Sequence, residues 1–78
     1  MSEVSLSLGD KVKPVLVCAS ESVVLFESKI KKLFGINSNT DIYGIRDEVS
    51  GKVFSVEEVF SNPSIFSETT GSIIPVGT

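Results

Sequence analysis

The run VSLSL, Val4 to Leu8, alternates apolar and polar residues throughout, so Val4, Leu6 and Leu8 share one face of an extended chain and Ser5 and Ser7 the other. That is the pattern of a half-buried β-strand. Gly9-Asp10 follows as a two-residue turn, and Lys11 to Ala19 reads as a second strand rich in β-branched residues. Pro14 inside it has no N–H to give to a ladder, which predicts a strand at the edge of the sheet. The tail of this strand, Val15 to Cys18, is apolar on both faces, as expected where a helix crosses the sheet, and Cys18 is expected in or near the core.

The apolar period then changes from two to 3.6. A helix is predicted from Val23 to Phe34, with Ser20 or Ser22 as its cap, Glu21 beside the positive end of its dipole and Gly35 just after its last turn. At about 100° per residue, Val23, Phe26, Ile30, Leu33 and Phe34 fall within one arc of roughly 100°, the expected core face, while Val24 and Leu25 lie outside it. INSNTD is a polar loop, Ile42 to Glu48 a third strand, VSG a turn and Lys52 to Ser55 a short fourth strand. Ser55 with Glu58 three residues later is a capping box, opening a helical turn that ends before Asn62-Pro63. Gly71 to Val76 is the last strand, with Pro75 at its end and its paired part around Ser72 to Ile74. The class predicted is α+β: a mixed four- to five-stranded sheet packed on one main helix.

Chains of 78 residues bury one modest core, so a single domain spanning residues 1–78 is expected, with residues 75–78 beginning a linker to further sequence. Seven Lys and Arg against ten Asp and Glu leave a net charge of −3, which argues against a nucleic-acid partner because phosphate neutralisation needs a basic surface. No apolar run, Val23 to Phe26 and Val15 to Ala19 among them, approaches the roughly 18 residues that span a bilayer. MSEVSLSLGD has no basic n-region and a lone cysteine forms no internal disulfide, so the expectation is an intracellular chain, cytoplasmic or nuclear, without a membrane partner.

Candidate chemistry is sparse. The absence of histidine removes His-based triads and His metal sites, and one cysteine cannot build a zinc cluster. Asp47-Glu48 and Glu57-Glu58 are paired carboxylates, but neighbours in sequence point different ways, so they read as solvated charge. The six glycines are scattered singly and form no phosphate loop. No enzyme, no cofactor and no metal are expected. Binding remains.

The stretch SESVVLFESKIKKLFGI, Ser20 to Ile36, resembles the helix segment of the ubiquitin-like β-grasp superfamily without a gap: Ser20, Glu21, Val23, Phe26, Lys29, Ile30, Gly35 and Ile36 fall at matching places. IYGI, then GKV, then VEEVF look like the third strand, fourth strand and following turn of ubiquitin-like and doublecortin domains, and the Gly9-Asp10 turn matches the doublecortin pattern. The resemblance implies a β-grasp fold and a protein-interaction domain of a larger intracellular protein. The chain ends PVGT where conjugated modifiers carry a diglycine, and Gly44 stands where ubiquitin's recognition patch has an exposed isoleucine, so neither conjugation nor the usual receptor surface carries over. Doublecortin domains bind tubulin of the cytoskeleton, and Ras-binding domains of this fold dock acidic small GTPases through a basic helix and edge strand. For the GTPase-type reading the residues are Lys11, Lys13, Lys29 and Lys32. The acidic net charge weighs against tubulin. Self-association through the edge strand is a further way such a domain binds.

The three lysines of ESKIKKLFG do not form one cluster. With Val23 at zero, Lys29 lies near 240° and Lys32 near 180°, Lys31 near 80° and the core centre near 330°, at about 100° per residue. Lys31 follows Glu27 by four residues, a surface pair worth about 0.3–0.5 kcal/mol. Lys29 and Lys32 act with Lys11 and Lys13 only if their flank of the helix faces the second strand.

Overall fold

In the computed structural model, which describes residues 2–76, the elements are β1 (Ser2–Leu8), β2 (Lys11–Val17), α1 (Val23–Phe34), β3 (Ile42–Asp47), β4 (Val53–Phe54), α2 (Val56–Ser61), a 3₁₀ turn (Pro63–Phe66) and β5 (Thr70–Pro75). The five strands form one mixed sheet in the order β2-β1-β5-β3-β4. β1 and β5 run parallel at its centre, and the other pairings are antiparallel. The class is α+β, with one main helix and a short one. No helix among the described residues is long and apolar enough to cross a membrane.

β1 and β2 form a hairpin whose turn has Gly9 at φ 61°, the left-handed region a II′ turn demands of its first central residue. The register pairs Val4 with Val15 and Leu6 with Lys13 on the helix side, leaving Ser5 opposite Pro14 on the other face. Pro14 thus lies in an edge strand, as its missing N–H requires. Ser22 caps α1, its hydroxyl accepting from the N–H of Leu25 at 3.3 Å, and Gly35 ends it at φ 68° while Ile36 donates to the Lys31 carbonyl at 2.8 Å.

The helix buries Phe26, Ile30 and Phe34 against Val4, Leu6, Val15 and Val17, and Ile42, Ile45, Val59, Phe66 and Ile73 complete the core. Each large apolar side chain removed from water contributes about 1.5–3 kcal/mol. Leu33, expected on the core face, is 37% exposed. It stands on the side of α1 that faces β2, and beyond an edge strand there is no further strand to cover it. Cys18 is also not in the core. The chain leaves the sheet after Val17 and turns, with Glu21 N–H donating to the Cys18 carbonyl at 3.0 Å, so the thiol is only partly covered.

The C-terminal half departs further from the expected boundaries. β4 is only Val53–Phe54 and β3 stops at Asp47, where the turn to Gly51 (φ 77°) begins. Pro63 starts a 3₁₀ turn that the apolar pattern did not announce, and it carries Phe66 into full burial. β5 runs from Thr70 to Pro75, longer than Ser72 to Ile74, because β1 pairs its first half and β3 most of its length. Pro75 lies at the end of the strand, past the β1 pairing, so its missing N–H leaves that ladder intact. Val76 N–H donates to the Asp41 carbonyl at 2.8 Å, just past the end of β5, and residues 77–78, the rest of the expected linker, lie outside those described.

Candidate functional site

A sheet covered by a helix on one face leaves backbone groups unpaired at its edges and at the helix ends. At the β2 edge, lysines take them. Lys29 Nζ donates to the Leu16 carbonyl at 2.9 Å, and Lys13 Nζ donates to the Leu33 carbonyl at 2.8 Å while standing 6.0 Å from the centroid of the Phe34 ring. These two crossed bonds, helix to strand and strand to helix, fix which flank of α1 borders β2. It is the flank of Lys29 and Lys32.

Of the four lysines read from the sequence, the structure therefore brings Lys13 and Lys29 onto one α1/β2 seam. Lys32 lies beside them, sharing with Lys29, Glu21, Leu25 and Ser28 the lining of a shallow hollow of about 260 Å³. Lys11 is exposed at the start of β2, opposite Leu8 and in phase with Lys13. Neither Lys11 nor Lys32 makes a hydrogen bond or ion pair among the described residues. Lys31 sits on the other side of the helix, on the Ser38 carbonyl at 3.3 Å and 3.8 Å from Glu27. Glu21 partly offsets the seam through an ion pair of 3.1 Å to Lys29, which at this exposure is worth less than about 1 kcal/mol.

The seam is apolar as well as basic. Leu25 is 57% exposed, and Leu25, Lys29 and Leu33 recur every four residues along the same flank. Leu25 was legible only as an anomaly outside the core arc, and Leu33 was assigned to the core; their common spacing with Lys29 was the signal that joins them. The backbone of β2 offers less. Alternate residues of an antiparallel edge turn their groups outward, and Pro14 has no N–H to give while Leu16, two residues on, has its carbonyl taken by Lys29.

At the opposite edge of the sheet a larger groove, about 610 Å³, lies between β4 and α2, with Phe54 and Ile65 as apolar lining and Glu57 and Glu58 as carboxylates. The capping box forms as expected: Glu58 N–H donates to Ser55 Oγ at 3.1 Å and Ser55 N–H to Glu58 Oε1 at 3.4 Å. Lys52 stands 5.2 Å from the centroid of the Phe54 ring. The carboxylates singled out in the sequence thus include two with structural work: Glu58 here, and Asp47, whose Oδ1 accepts from Val49 and Ser50 in the β3 to β4 turn.

Charge divides along the chain. Residues 2–40 carry five lysines against Glu3, Asp10, Glu21 and Glu27, a formal +1, and residues 41–76 carry Arg46 and Lys52 against six carboxylates, −4; together these are the −3 of the whole chain. No family model, no curated protein and no solved structure matches the chain.

Proposed function

We propose that this chain is a ubiquitin-like β-grasp domain acting as a non-catalytic protein-interaction module, with the α1/β2 seam as its binding surface. In support of the fold, the strand order β2-β1-β5-β3-β4 puts parallel terminal strands at the centre of a mixed sheet, with one helix of 12 residues across it, from Ser22 to Gly35 at its caps. The observation that carries the surface is the pair of crossed lysine bonds, Lys29 to Leu16 and Lys13 to Leu33, which line the seam with cations next to exposed Leu25. Such a surface suits an acidic partner with an apolar centre.

The matching experiment is quantitative affinity capture by the domain and by a Lys11→Glu/Lys32→Glu variant, both residues being exposed. Acidic partners retained by the first and lost by the second are expected; identical captured sets overturn the surface.

A small-GTPase-binding domain is the second reading, favoured over tubulin binding because its four lysines border the same edge. It expects GTP-loaded but not GDP-loaded Ras-type GTPase to shift the amide signals of Lys11 to Val15 and Lys29 to Lys32. Equal shifts with both nucleotides remove it, and co-sedimentation with microtubules at low salt restores the doublecortin-type alternative.

A further inference from the structure

We infer that the α1/β2 seam of one copy docks in the β4/α2 groove of a second copy, head to tail; the inference rests on the reading of the seam as a binding surface. The two surfaces are complementary in two ways. The seam offers an exposed Leu25 flanked by Lys29 and Lys32, and the groove offers Phe54 and Ile65 flanked by Glu57 and Glu58. Apolar centre meets apolar centre, and cation meets carboxylate.

Their positions allow both to be occupied at once. β2 and β4 are the two outer strands of a five-stranded sheet, roughly 19 Å apart at the usual strand spacing, so a neighbour at one edge does not cover the other. The charge division selects the mode. A two-fold dimer through the seam faces lysines with lysines, and one through the groove faces carboxylates with carboxylates, so only the unlike pairing of the +1 and −4 halves is attractive at contact. Such a contact joins different surfaces and leaves one of each free, so copies add in line. Pairing of β2 edges is disfavoured by Pro14 and by Lys29 on the Leu16 carbonyl.

Sedimentation velocity over a concentration series in about 20 mM salt tests this, where the Debye length is long enough for the seam and groove to feel each other, with a second series near 500 mM. The average mass is expected to rise with concentration, and association to weaken roughly tenfold or more at the higher salt. Lys32→Glu spoils only the seam and Glu57→Lys only the groove, so each variant alone is expected to stay monomeric. Mixed in equal amounts they are expected to associate, since the intact groove of one meets the intact seam of the other and the two reversed charges also face each other. An amide NMR fingerprint verifies that each is folded, and Lys32→Ala with Glu57→Gln serves if either reversal is not. A monomer at all concentrations, assembly of either variant alone, or a mixture that remains monomeric each overturns the head-to-tail contact. The capture experiment with Lys11→Glu/Lys32→Glu still judges the seam toward foreign partners, so the two failures are distinct.

Discussion

The β2/α1 edge and the β4/α2 edge solve the same problem with opposite charges. Along the first, exposed carbonyls at a strand edge and a helix C-terminus are taken by lysines: Leu16 by Lys29 and Leu33 by Lys13. Along the second, N–H groups at a turn and a helix N-terminus are taken by carboxylates: Val49 and Ser50 by Asp47, Ser55 by Glu58. At the helix ends the choice follows from which backbone groups are left unpaired, carbonyls at a C-terminus and N–H groups at an N-terminus, while on the strand edge, which presents both, the lysine takes the acceptor. The division of charge between the two edges is thus in part a by-product of backbone satisfaction. What lies beyond it is Lys11 and Lys32 on one side and Glu57 on the other, which make no such contact among the described residues and are the charges the proposed binding would use.

In packing the two edges are alike, and the largest expected effect tests that equivalence. Phe26 was assigned to the core from helical periodicity, and Phe66 was not, yet both are fully buried. Phe26→Ala and Phe66→Ala are each expected to lose about 3–5 kcal/mol in urea unfolding, against a total of about 4–12 for a domain of this size. Because such a loss reaches the global stability, Phe→Leu at each site supplies a graded comparison. A much smaller loss at Phe66 makes the C-terminal half a peripheral layer and breaks the equivalence of the two halves.

Gly71 comes next. It sits on the core side of β5 opposite Leu6, where an added Cβ meets Ile45 Cγ2 and lies 2.8 Å from the Phe66 ring. Gly71→Ala is expected to cost about 1–3 kcal/mol by overpacking, with part recovered in Gly71→Ala/Phe66→Leu. Full additivity of the two losses removes the close approach as their cause.

These residues mark where the sequence was legible. The hairpin, α1 and its Gly35 cap, the edge position of β2 and the Ser55 capping box follow from alternation, a 3.6-residue period and residues whose stereochemistry leaves few choices. The burial of Phe66 follows instead from a 3₁₀ turn too short to show a period, and the role of Gly71 from the approach of residues far apart in sequence. The candidate surface was half legible for a similar reason. Helical angles separated Lys31 from Lys29 and Lys32, but which flank faces β2 depends on how α1 lies across the sheet, and that is a tertiary fact.

Caps offer a finer comparison of the edges. Ser55 and Glu58 exchange two backbone bonds, whereas Ser22 accepts one, at 3.3 Å. Ser55→Ala is expected to cost about 1–2 kcal/mol and Ser22→Ala about 0.5–1, read from the midpoint of thermal or urea unfolding. The reverse ranking shows that α1, held by its larger buried face, depends on its cap more than the short α2 does.

The smallest effect concerns the one thiol, which lies at the basic edge. Cys18 Sγ is 3.0 Å from Ser20 Oγ, and hydrogen bonds from the Ser20 hydroxyl and backbone N–H hold its pKa below the ordinary thiol value, against burial and the nearby Glu21, which raise it. The cause is local and not the field of the seam lysines. Ser20→Ala is expected to move the midpoint of the rate of alkylation against pH upward, while Lys32→Ala leaves it in place. A folded-state pKa below the unfolded one adds stability that is present above the unfolded value and fades as pH falls through the folded one. Relative to Ser20→Ala, the native domain therefore gains slightly as pH rises through the thiol range and gains nothing near neutrality. A midpoint that follows Lys32 instead makes the thiol a sensor of the seam's charge, and extends the basic edge past the end of β2.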